Sequence, residues 1–275
     1  MISDSNIYKQ KSIEQWTKHP IGAHLTKYPE GTKEFFDEIA DFRYKIECPW
    51  LKSTSKFNQY KNKKVLEIGV GDGIDHLELA KAGASLTGID ITPKSIELTQ
   101  KNLELHGYKS DLLVADAEDL PFKDNTFDVV YSFGVLHHTP DTQKAIDEIY
   151  RVLKTQGKAV ISLYHKNSLS FWLFVFLYDF ILKGKFLRMS LNDRVSSIEK
   201  GGDETKPLVK LFTTRQAKKL FSQFRKVKII TRHAGLPTSS GRKLGKILNL
   251  TPVKNFFEFL ANNGFGWYLI IEAEK

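Results

Sequence analysis

The chain has 275 residues, with 41 Lys and Arg against 32 Asp and Glu, a formal net charge of +9. Hydrophobic residues make up 41% and charged residues 27%, a balance that favours a packed core and excludes a disordered or coiled-coil chain. The single cysteine, Cys48, excludes an internal disulfide and a cysteine-based zinc site, and it favours a cytoplasmic protein.

The sequence of residues 1–60 predicts helices and turns. We expect this segment to cover the domain that follows it and not to form a domain of its own. Met1–Gln15 has no apolar stretch of the kind found in signal peptides, so we expect no export. Aromatic residues recur at helical spacing around Phe35, Phe36 and Phe42. We therefore expect an N-terminal helical cap over residues 1–60.

From Lys61 onward, short β-branched runs alternate with amphipathic helical stretches. This alternation is typical of a parallel sheet with crossover helices. Residues 61–165 thus predict the core of an α/β fold, a doubly wound, mostly parallel, Rossmann-like sheet. The strands predicted in this core are Val65–Ile68, Leu86–Ile89, Leu112–Ala115, Phe127–Ser132 and Ala159–Leu163, with Gln156-Gly157 as the turn before the last of them.

The rest of the domain, which we place at residues 61–275, completes a seven-stranded sheet and carries two insertions. The first insertion, residues 166–213, contains the apolar run Phe171–Leu182. That run is shorter than the roughly 20 residues of a membrane span, and Asp179 interrupts it. The predicted elements of residues 214–275 are helix Thr214–Phe224, strand Val227–Thr231, a second insertion at His233–Asn263 and strand Trp267–Glu272.

Acids and glycines follow the predicted strands at their carboxyl ends, where open parallel sheets bind ligands. The first strand ends in Glu67-Ile68-Gly69-Val70-Gly71-Asp72-Gly73, and Asp90 and Asp116 close the next two. Ile74 stands where a dinucleotide fingerprint has its third glycine, which counts against a nicotinamide cofactor. Carboxylates repel phosphate, so the pattern predicts a pocket for a cationic nucleoside.

Four ordered segments carry a family resemblance over residues 60–165: VLEIGVGDG, GID, DAEDLPFKDNTFDVVYSFGVLHH and EIYRVLKTQGKAVIS. Together they resemble the class I S-adenosylmethionine-dependent methyltransferases, particularly the group that acts on small molecules and lipids. Lys154-Thr155-Gln156-Gly157 departs from the usual Lys-Pro-Gly-Gly turn of that family.

The resemblance implies S-adenosylmethionine as the cofactor. It places the glycine turn at the methionine moiety, Asp90 at the ribose, and the residues after the third strand at the adenine. The cap precedes the first strand and can fold over the sulfonium, which adds Tyr44. The other implied cofactor residues are Glu67, Gly69, Gly71, Gly73, Asp90, Ile91, Asp116, Ala117, Ser132 and Phe133.

Methyl transfer needs positioning and, for some acceptors, a base. The candidates are His137 and His138 after the fourth strand, and Tyr164 and His165 after the fifth. The alternative for the histidine pair is a packing role at the start of a helix. We expect no metal site, because His137, His138 and Asp141 lack ligand spacing.

We therefore predict a methyltransferase that acts on an oxygen or nitrogen of a small-molecule or lipid-like acceptor. Three alternatives stay open: an RNA methyltransferase that uses its basic C-terminal part, a non-catalytic cofactor-binding module, and a nicotinamide dehydrogenase. A nucleic-acid partner is disfavoured because aromatic residues do not interleave with the C-terminal lysines and arginines. The sequence predicts no oligomeric state.

The apolar segment 168–189 has three interpretations. It can form a helical lid over an apolar acceptor pocket, or pack against the cap. It can also make a peripheral membrane contact, because Lys183, Lys185 and Arg188 follow the apolar run.

Overall fold

The computed structural model of the chain describes residues 4–188, 190–196, 207–234 and 251–275. Nine α-helices lie in these ranges: α1 Asp4–Lys18, α2 Lys33–Asp41, α3 Leu51–Ser55, α4 Ile74–Lys81, α5 Pro93–Leu105, α6 Thr142–Val152, α7 Leu191–Ser196, α8 Thr214–Leu220 and α9 Thr251–Leu260. Three π-helices, Phe42–Glu47, Phe171–Leu182 and Ala261–Phe265, and four short 3₁₀ turns, Ala23–Leu25, Phe57–Tyr60, Leu136–His138 and Lys185–Leu187, complete the helical elements.

Seven strands form one sheet in the order β3-β2-β1-β4-β5-β7-β6. The first five run parallel, and β7 is antiparallel to both of its neighbours. The predicted fold class, a doubly wound and mostly parallel seven-stranded sheet with N-terminal helices, is confirmed. The strands are β1 Lys64–Ile68, β2 Ser85–Asp90, β3 Asp111–Val114, β4 Phe127–Ser132, β5 Leu153–Tyr164, β6 Lys226–Arg232 and β7 Tyr268–Glu274.

Helices bury apolar side chains on both faces of the sheet. On one face, Ile146 and Ile149 of α6 pack with Phe221 against strand residues that include Val130 and Ile161. A separate cluster joins Leu77 and Leu79 of α4 to Val65, Val129 and Tyr131. This two-sided burial explains why the central strands are continuous apolar runs rather than alternating ones.

The fifth strand is longer than predicted. It begins at Leu153 rather than Ala159, and the predicted turn at Gln156-Gly157 is an irregularity within it, where Gln156 adopts φ +64°. The backbone of Lys275 pairs with this site, because Lys275 N donates to Gly157 O at 3.0 Å and Gln156 N donates to Lys275 O at 3.1 Å. The C-terminal residue therefore adds backbone hydrogen bonds to β5. The sequence around Gln156 does not predict these bonds, because their partner is at the other end of the chain.

The two predicted insertions are described in part. In the first, the apolar run forms the π-helix Phe171–Leu182, while residues 189 and 197–206 lie outside the described ranges. In the second, residues 235–250 lie outside them, and α9 follows. Among the described helices, none combines the length and apolar character needed to cross a bilayer.

Candidate active site

A glycine turn joins β1 to α4 and forms the floor of the site. Gly69, Gly71 and Gly73 have φ of +80°, +57° and +77°, the left-handed region that glycine adopts without strain. A Cβ at Gly69 would lie 2.1 Å from Val135 Cγ2, so the loop after β4 approaches this backbone closely. Only glycine allows both the left-handed backbone of this turn and the close approach of Val135 to Gly69.

Asp90 at the end of β2 fixes the turn. Its Oδ2 accepts a hydrogen bond from Gly71 N at 3.1 Å, and its Oδ1 accepts from Thr92 N and Thr92 Oγ1, both at 2.9 Å. Burial raises the pKa of Asp90, and the hydrogen bonds from Thr92 and Gly71 oppose that rise. The carboxylate lines a cavity of about 90 Å³.

The cavity lies at the carboxyl ends of the parallel strands and beneath α1. Helix α1 contributes Lys9, Ser12 and Trp16 to its wall. Lys9 Nζ lies 2.5 Å from Asp116 Oδ2 and 2.6 Å from Glu118 Oε2. Burial lowers the pKa of Lys9, but pairing with these two acids outweighs burial and raises it overall.

The site has the chemistry of a cationic nucleoside pocket, which is what S-adenosylmethionine requires. Asp90 and Asp116 offer carboxylates to a ribose and an adenine amino group, and two buried oxygens near the turn, Ser12 Oγ and Asp72 Oδ2, have no hydrogen-bond partner. Burial raises the pKa of Asp72 to about 7. Ligand pockets usually measure about 300–1,000 Å³, so the cavity beneath α1 is smaller than such pockets.

Glu67 does not line this cavity. Its side chain is the first member of a buried series of hydrogen bonds that continues through His76 and Ser110. Its Oε2 lies 2.8 Å from His76 Nδ1, and His76 Nε2 lies 2.9 Å from Ser110 Oγ, which donates to Leu86 O. Because Ser110 uses its only proton on Leu86, His76 Nε2 carries a hydrogen and His76 Nδ1 accepts one. Burial raises the pKa of Glu67 and lowers that of His76 to about 3, so the proton lies on Glu67.

A buried ion pair joins the cap to the start of α4. Arg43 donates to both oxygens of Asp75, at 2.9 and 2.6 Å, and its guanidinium carbon lies 4.6 Å from the ring centroid of Phe133. The hydroxyls of Tyr44 and Tyr131 also donate to Asp75, at 2.7 and 2.8 Å. Tyr44 is therefore held beside the glycine turn rather than in the cavity wall.

The histidine pair lies on the 3₁₀ turn Leu136–His138 after β4. His138 lines the cavity, contacts Trp16 edge to face, and donates through Nδ1 to Leu208 O at 2.7 Å. A carbonyl oxygen only accepts, so Nδ1 carries the hydrogen and the Nε2 lone pair is available. His137 is fully buried with neither ring nitrogen bonded, and burial lowers its pKa well below the ordinary value.

Beside the cavity, the ends of β4, β5 and β7 build an aromatic cluster. Tyr164 stacks on His137 with 3.7 Å between ring centroids, and Tyr268 lies 5.6 Å from Tyr164 and 5.1 Å from Phe133. Trp50 of the cap lies 5.9 Å from Tyr268, and its Nε1 is buried without a hydrogen-bond partner. We call Trp50, Phe133, Tyr164, Trp267 and Tyr268 the aromatic chamber.

His165 repeats the geometry of His138. Its Nδ1 donates to Gly266 O at 3.0 Å, and its buried Nε2 has no partner. Burial lowers the pKa of His165, and the hydrogen bond to Gly266 opposes that shift. The imidazole is thus neutral with its lone pair on Nε2.

The structure brings six of the predicted site residues onto the cavity wall: Gly69, Asp90, Ile91, Asp116, Ala117 and His138. The others lie around it: Gly71 and Gly73 in the turn, Glu67 and Tyr44 behind it, Ser132 donating to Ile68 O at 2.9 Å, and Phe133, His137, Tyr164 and His165 in or next to the aromatic chamber. Sequence reasoning missed Lys9, Ser12, Trp16, Arg43 and Asp75. None of these belongs to a recognisable motif, and only folding brings the cap beside the turn. The described residues contain no cluster of His, Cys, Asp and Glu with metal-binding geometry.

Comparisons with known proteins identify the family of the chain. The profile of the Methyltransferase domain family (Methyltransf_11) matches residues 66–161. The ubiquinone/menaquinone biosynthesis C-methyltransferase of Geotalea daltonii is 33% identical over 171 residues, which cover 57% of this chain and 72% of that protein. The ubiquinone biosynthesis O-methyltransferase of Thiobacillus denitrificans is 29% identical over 164 residues, covering 58% of this chain and 71% of that protein.

Among solved structures, an S-adenosylmethionine-dependent methyltransferase from Thermotoga maritima has the same fold. It aligns with a TM-score of 0.51 and 17% identity, covering 82% of this chain and 93% of that one. The chain belongs to the class I S-adenosylmethionine-dependent methyltransferases. It is an enzyme of the group whose members methylate small molecules, and S-adenosylmethionine is its methyl donor.

Proposed function

We propose that the enzyme methylates an oxygen or nitrogen of an apolar, ring-bearing small molecule or lipid, with His138 as the base. The observation that carries this proposal is His138 itself, which lines the cofactor cavity with Nδ1 fixed on Leu208 O and Nε2 available. A hydroxyl or amine acceptor loses a proton on methylation, and a neutral imidazole is suited to take it.

The aromatic chamber supports an acceptor with an apolar ring. Its flat side chains surround the end of β5 immediately beside His137, and flat rings pack well against aromatic walls. Four buried nitrogens without partners, one on Trp50, two on His137 and one on His165, provide polar anchors that such an acceptor can use. An oxygen or nitrogen substituent satisfies them, whereas a wholly apolar molecule leaves them unpaired.

S-adenosylmethionine, when bound, supplies a methyl group on a positively charged sulfur. Asp72, Asp90 and Asp116 would hold the cofactor through its amino group, ribose and adenine. His138 Nε2 takes the acceptor's proton, and its Nδ1–H bond to Leu208 O keeps that nitrogen aimed at the cavity. The cap covers the site and excludes water, which favours transfer to the acceptor over hydrolysis.

Relatives give partial support for the acceptor atom. The two named above are by their names a C-methyltransferase and an O-methyltransferase. The proposal that the methyl group is transferred to oxygen or nitrogen therefore rests on the base in this chain and not on the activities in its relatives' names.

The basic C-terminal part gives less support to an RNA acceptor. Lys226 and Lys228 lie at the start of β6, on the opposite edge of the sheet from the cavity, and they line a groove with Glu272 and Glu274. Lys226 Nζ is 3.6 Å from Glu274 Oε2. Interleaved acids weaken attraction to phosphates there.

Labelled methyl transfer tests the proposal. Wild-type enzyme with ¹³C-methyl S-adenosylmethionine is incubated with lipid, small-molecule and RNA fractions, and the ¹³C shift of the product separates O-, N- and C-methyl groups. We expect label in the lipid or small-molecule fraction, on oxygen or nitrogen. His138→Ala should lower turnover by about 10²–10⁴-fold with cofactor affinity retained, while His24→Ala, at an exposed histidine, should not. Label on RNA or carbon would contradict the proposal.

A further inference from the structure

Residues 171–188 carry an apolar surface that the described part of the chain leaves exposed. On the inner side of the π-helix, Phe171 and Val175 are buried in one cluster with Tyr164 and Tyr268. On the outer side, apolar side chains face solvent, with Leu182 at 68% and Leu187 at 77% exposure. We call the exposed set the outer face; it consists of Trp172, Leu173, Leu177, Ile181, Leu182, Phe186 and Leu187.

The outer face is a continuous row rather than scattered residues. Trp172, Leu177 and Ile181 are spaced by five and four residues, which is close to one turn of a π-helix, so they lie along one side of it. The 3₁₀ turn Lys185–Leu187 continues the row with Phe186 and Leu187. Contiguous exposed apolar surface of this kind marks an interaction site.

Positive charge lies at one end of the row. Lys183, Lys185 and Arg188 alternate with the last apolar side chains, and the sequence from Phe180 to Asn192 contains no acid. The side chains of Lys183 and Arg188 are exposed. An apolar row with an aromatic residue and a basic margin is the composition of helices that lie in the interface of an anionic bilayer.

We propose that the outer face docks the enzyme on the surface of a membrane that contains anionic lipid. The apolar row enters the boundary between headgroups and acyl chains, and Lys183, Lys185 and Arg188 contact the headgroups. A second copy of the chain fits this surface less well, because the basic margin contains no acid that could pair with the same margin of another copy. The inner side of the same helix packs against Tyr164 of the aromatic chamber, so docking places the acceptor side of the enzyme next to the bilayer.

Co-sedimentation with vesicles tests the proposal in the full chain without any acceptor. The wild type should pellet with vesicles of phosphatidylcholine and phosphatidylglycerol at 7:3 and remain in solution with phosphatidylcholine alone. Each basic residue near an anionic surface contributes about fivefold to partitioning, so Lys183→Gln/Lys185→Gln/Arg188→Gln should lose about 100-fold. The matched control is Lys109→Gln/Lys218→Gln/Lys219→Gln, which removes the same charge from exposed lysines elsewhere.

The apolar row needs its own variant. Trp172→Ser/Leu187→Ser should reduce binding at least tenfold, whereas Ile46→Ser, at an exposed apolar residue of the cap, should not. Binding of S-adenosylmethionine checks that each variant is folded, which separates this test from the test of acceptor chemistry. Equal losses for the two charge variants would overturn the proposal. So would absence of wild-type binding, or a dimer in sedimentation velocity that Leu187→Ser dissociates.

Discussion

Asp90 connects the glycine turn to the cofactor site through its two oxygens. Its Oδ1 accepts two hydrogen bonds from Thr92 and its Oδ2 accepts one from Gly71 N, so Oδ2 retains a lone pair for a ribose hydroxyl. We expect Asp90→Ala to weaken S-adenosylmethionine binding by about 1.5–3 kcal/mol, because hydrogen bonds to charged groups are worth that much. Calorimetry measures the change, and Asp111→Ala, at an exposed aspartate on the other end of the sheet, is the control. Unchanged affinity in Asp90→Ala would contradict the ribose assignment.

The protonated state of Glu67 has a consequence for the pH dependence of stability. Burial raises its pKa above the ordinary 4.5, so the folded chain keeps a proton that the unfolded chain releases. Its stabilising contribution is therefore complete below pH 4.5 and is lost as the pH rises toward the folded pKa, by about 1.4 kcal/mol per pH unit.

Glu67→Gln tests this assignment, because the amide donates to His76 Nδ1 as the protonated acid does. We expect its free energy of unfolding to fall less steeply than that of the wild type between pH 5 and 8, in urea titrations. Glu67→Ala, which removes the donor to His76, should be less stable than Glu67→Gln throughout. Parallel pH profiles for the wild type and Glu67→Gln would show that Glu67 is ionised in the folded chain.

At the scale of elements, helix α1 covers the cofactor cavity. The ion pairs of Lys9 with Asp116 and Glu118 attach this helix to the sheet domain. Lys9 pairs with Asp116, and we propose that it competes with the adenine amino group for that carboxylate. We expect Lys9→Met to raise the association rate of S-adenosylmethionine about tenfold, since a charged hydrogen bond is worth about 1.5 kcal/mol. Stopped-flow fluorescence measures the rate. Lys11→Met, at an exposed lysine of the same helix, controls for charge, and a slower rate in Lys9→Met would mean that Lys9 holds the cofactor instead.

The strands of the core could be predicted from the sequence because each is a short apolar run with its own boundary residues. The five predicted strands all exist, and the acids after them meet at one edge because parallel strands end there together. The start of β5 could not be predicted, since its first residues pair with Lys275 at the other end of the chain. The π-helical form of Phe171–Leu182 also escaped prediction, because the run is apolar on nearly all sides.

At the scale of the whole molecule, one buried ion pair connects the N-terminal helices to the sheet domain. The sequence could not reveal it, because Arg43 and Asp75 belong to different segments and neither stands in a motif. Burial alone would raise the pKa of Asp75, but the charge of Arg43 and the hydrogen bonds from Arg43, Tyr44 and Tyr131 lower it overall. The carboxylate is thus ionised and depends on its partner.

Removing one charge of such a pair leaves the other buried and unpaired, which costs about 3–5 kcal/mol. We expect Arg43→Met to lose that much of its free energy of unfolding in urea titrations. The double variant Arg43→Met/Asp75→Asn leaves no unpaired charge, and its amide can still bond both tyrosines, because its oxygen accepts from one hydroxyl and its nitrogen donates to the other. It should therefore be more stable than Arg43→Met by about 2 kcal/mol. If the losses of the single variants Arg43→Met and Asp75→Asn simply add in the double variant, the pair contributes no coupling, and the cap is held by its apolar contacts and by other ion pairs such as Lys9 with Glu118.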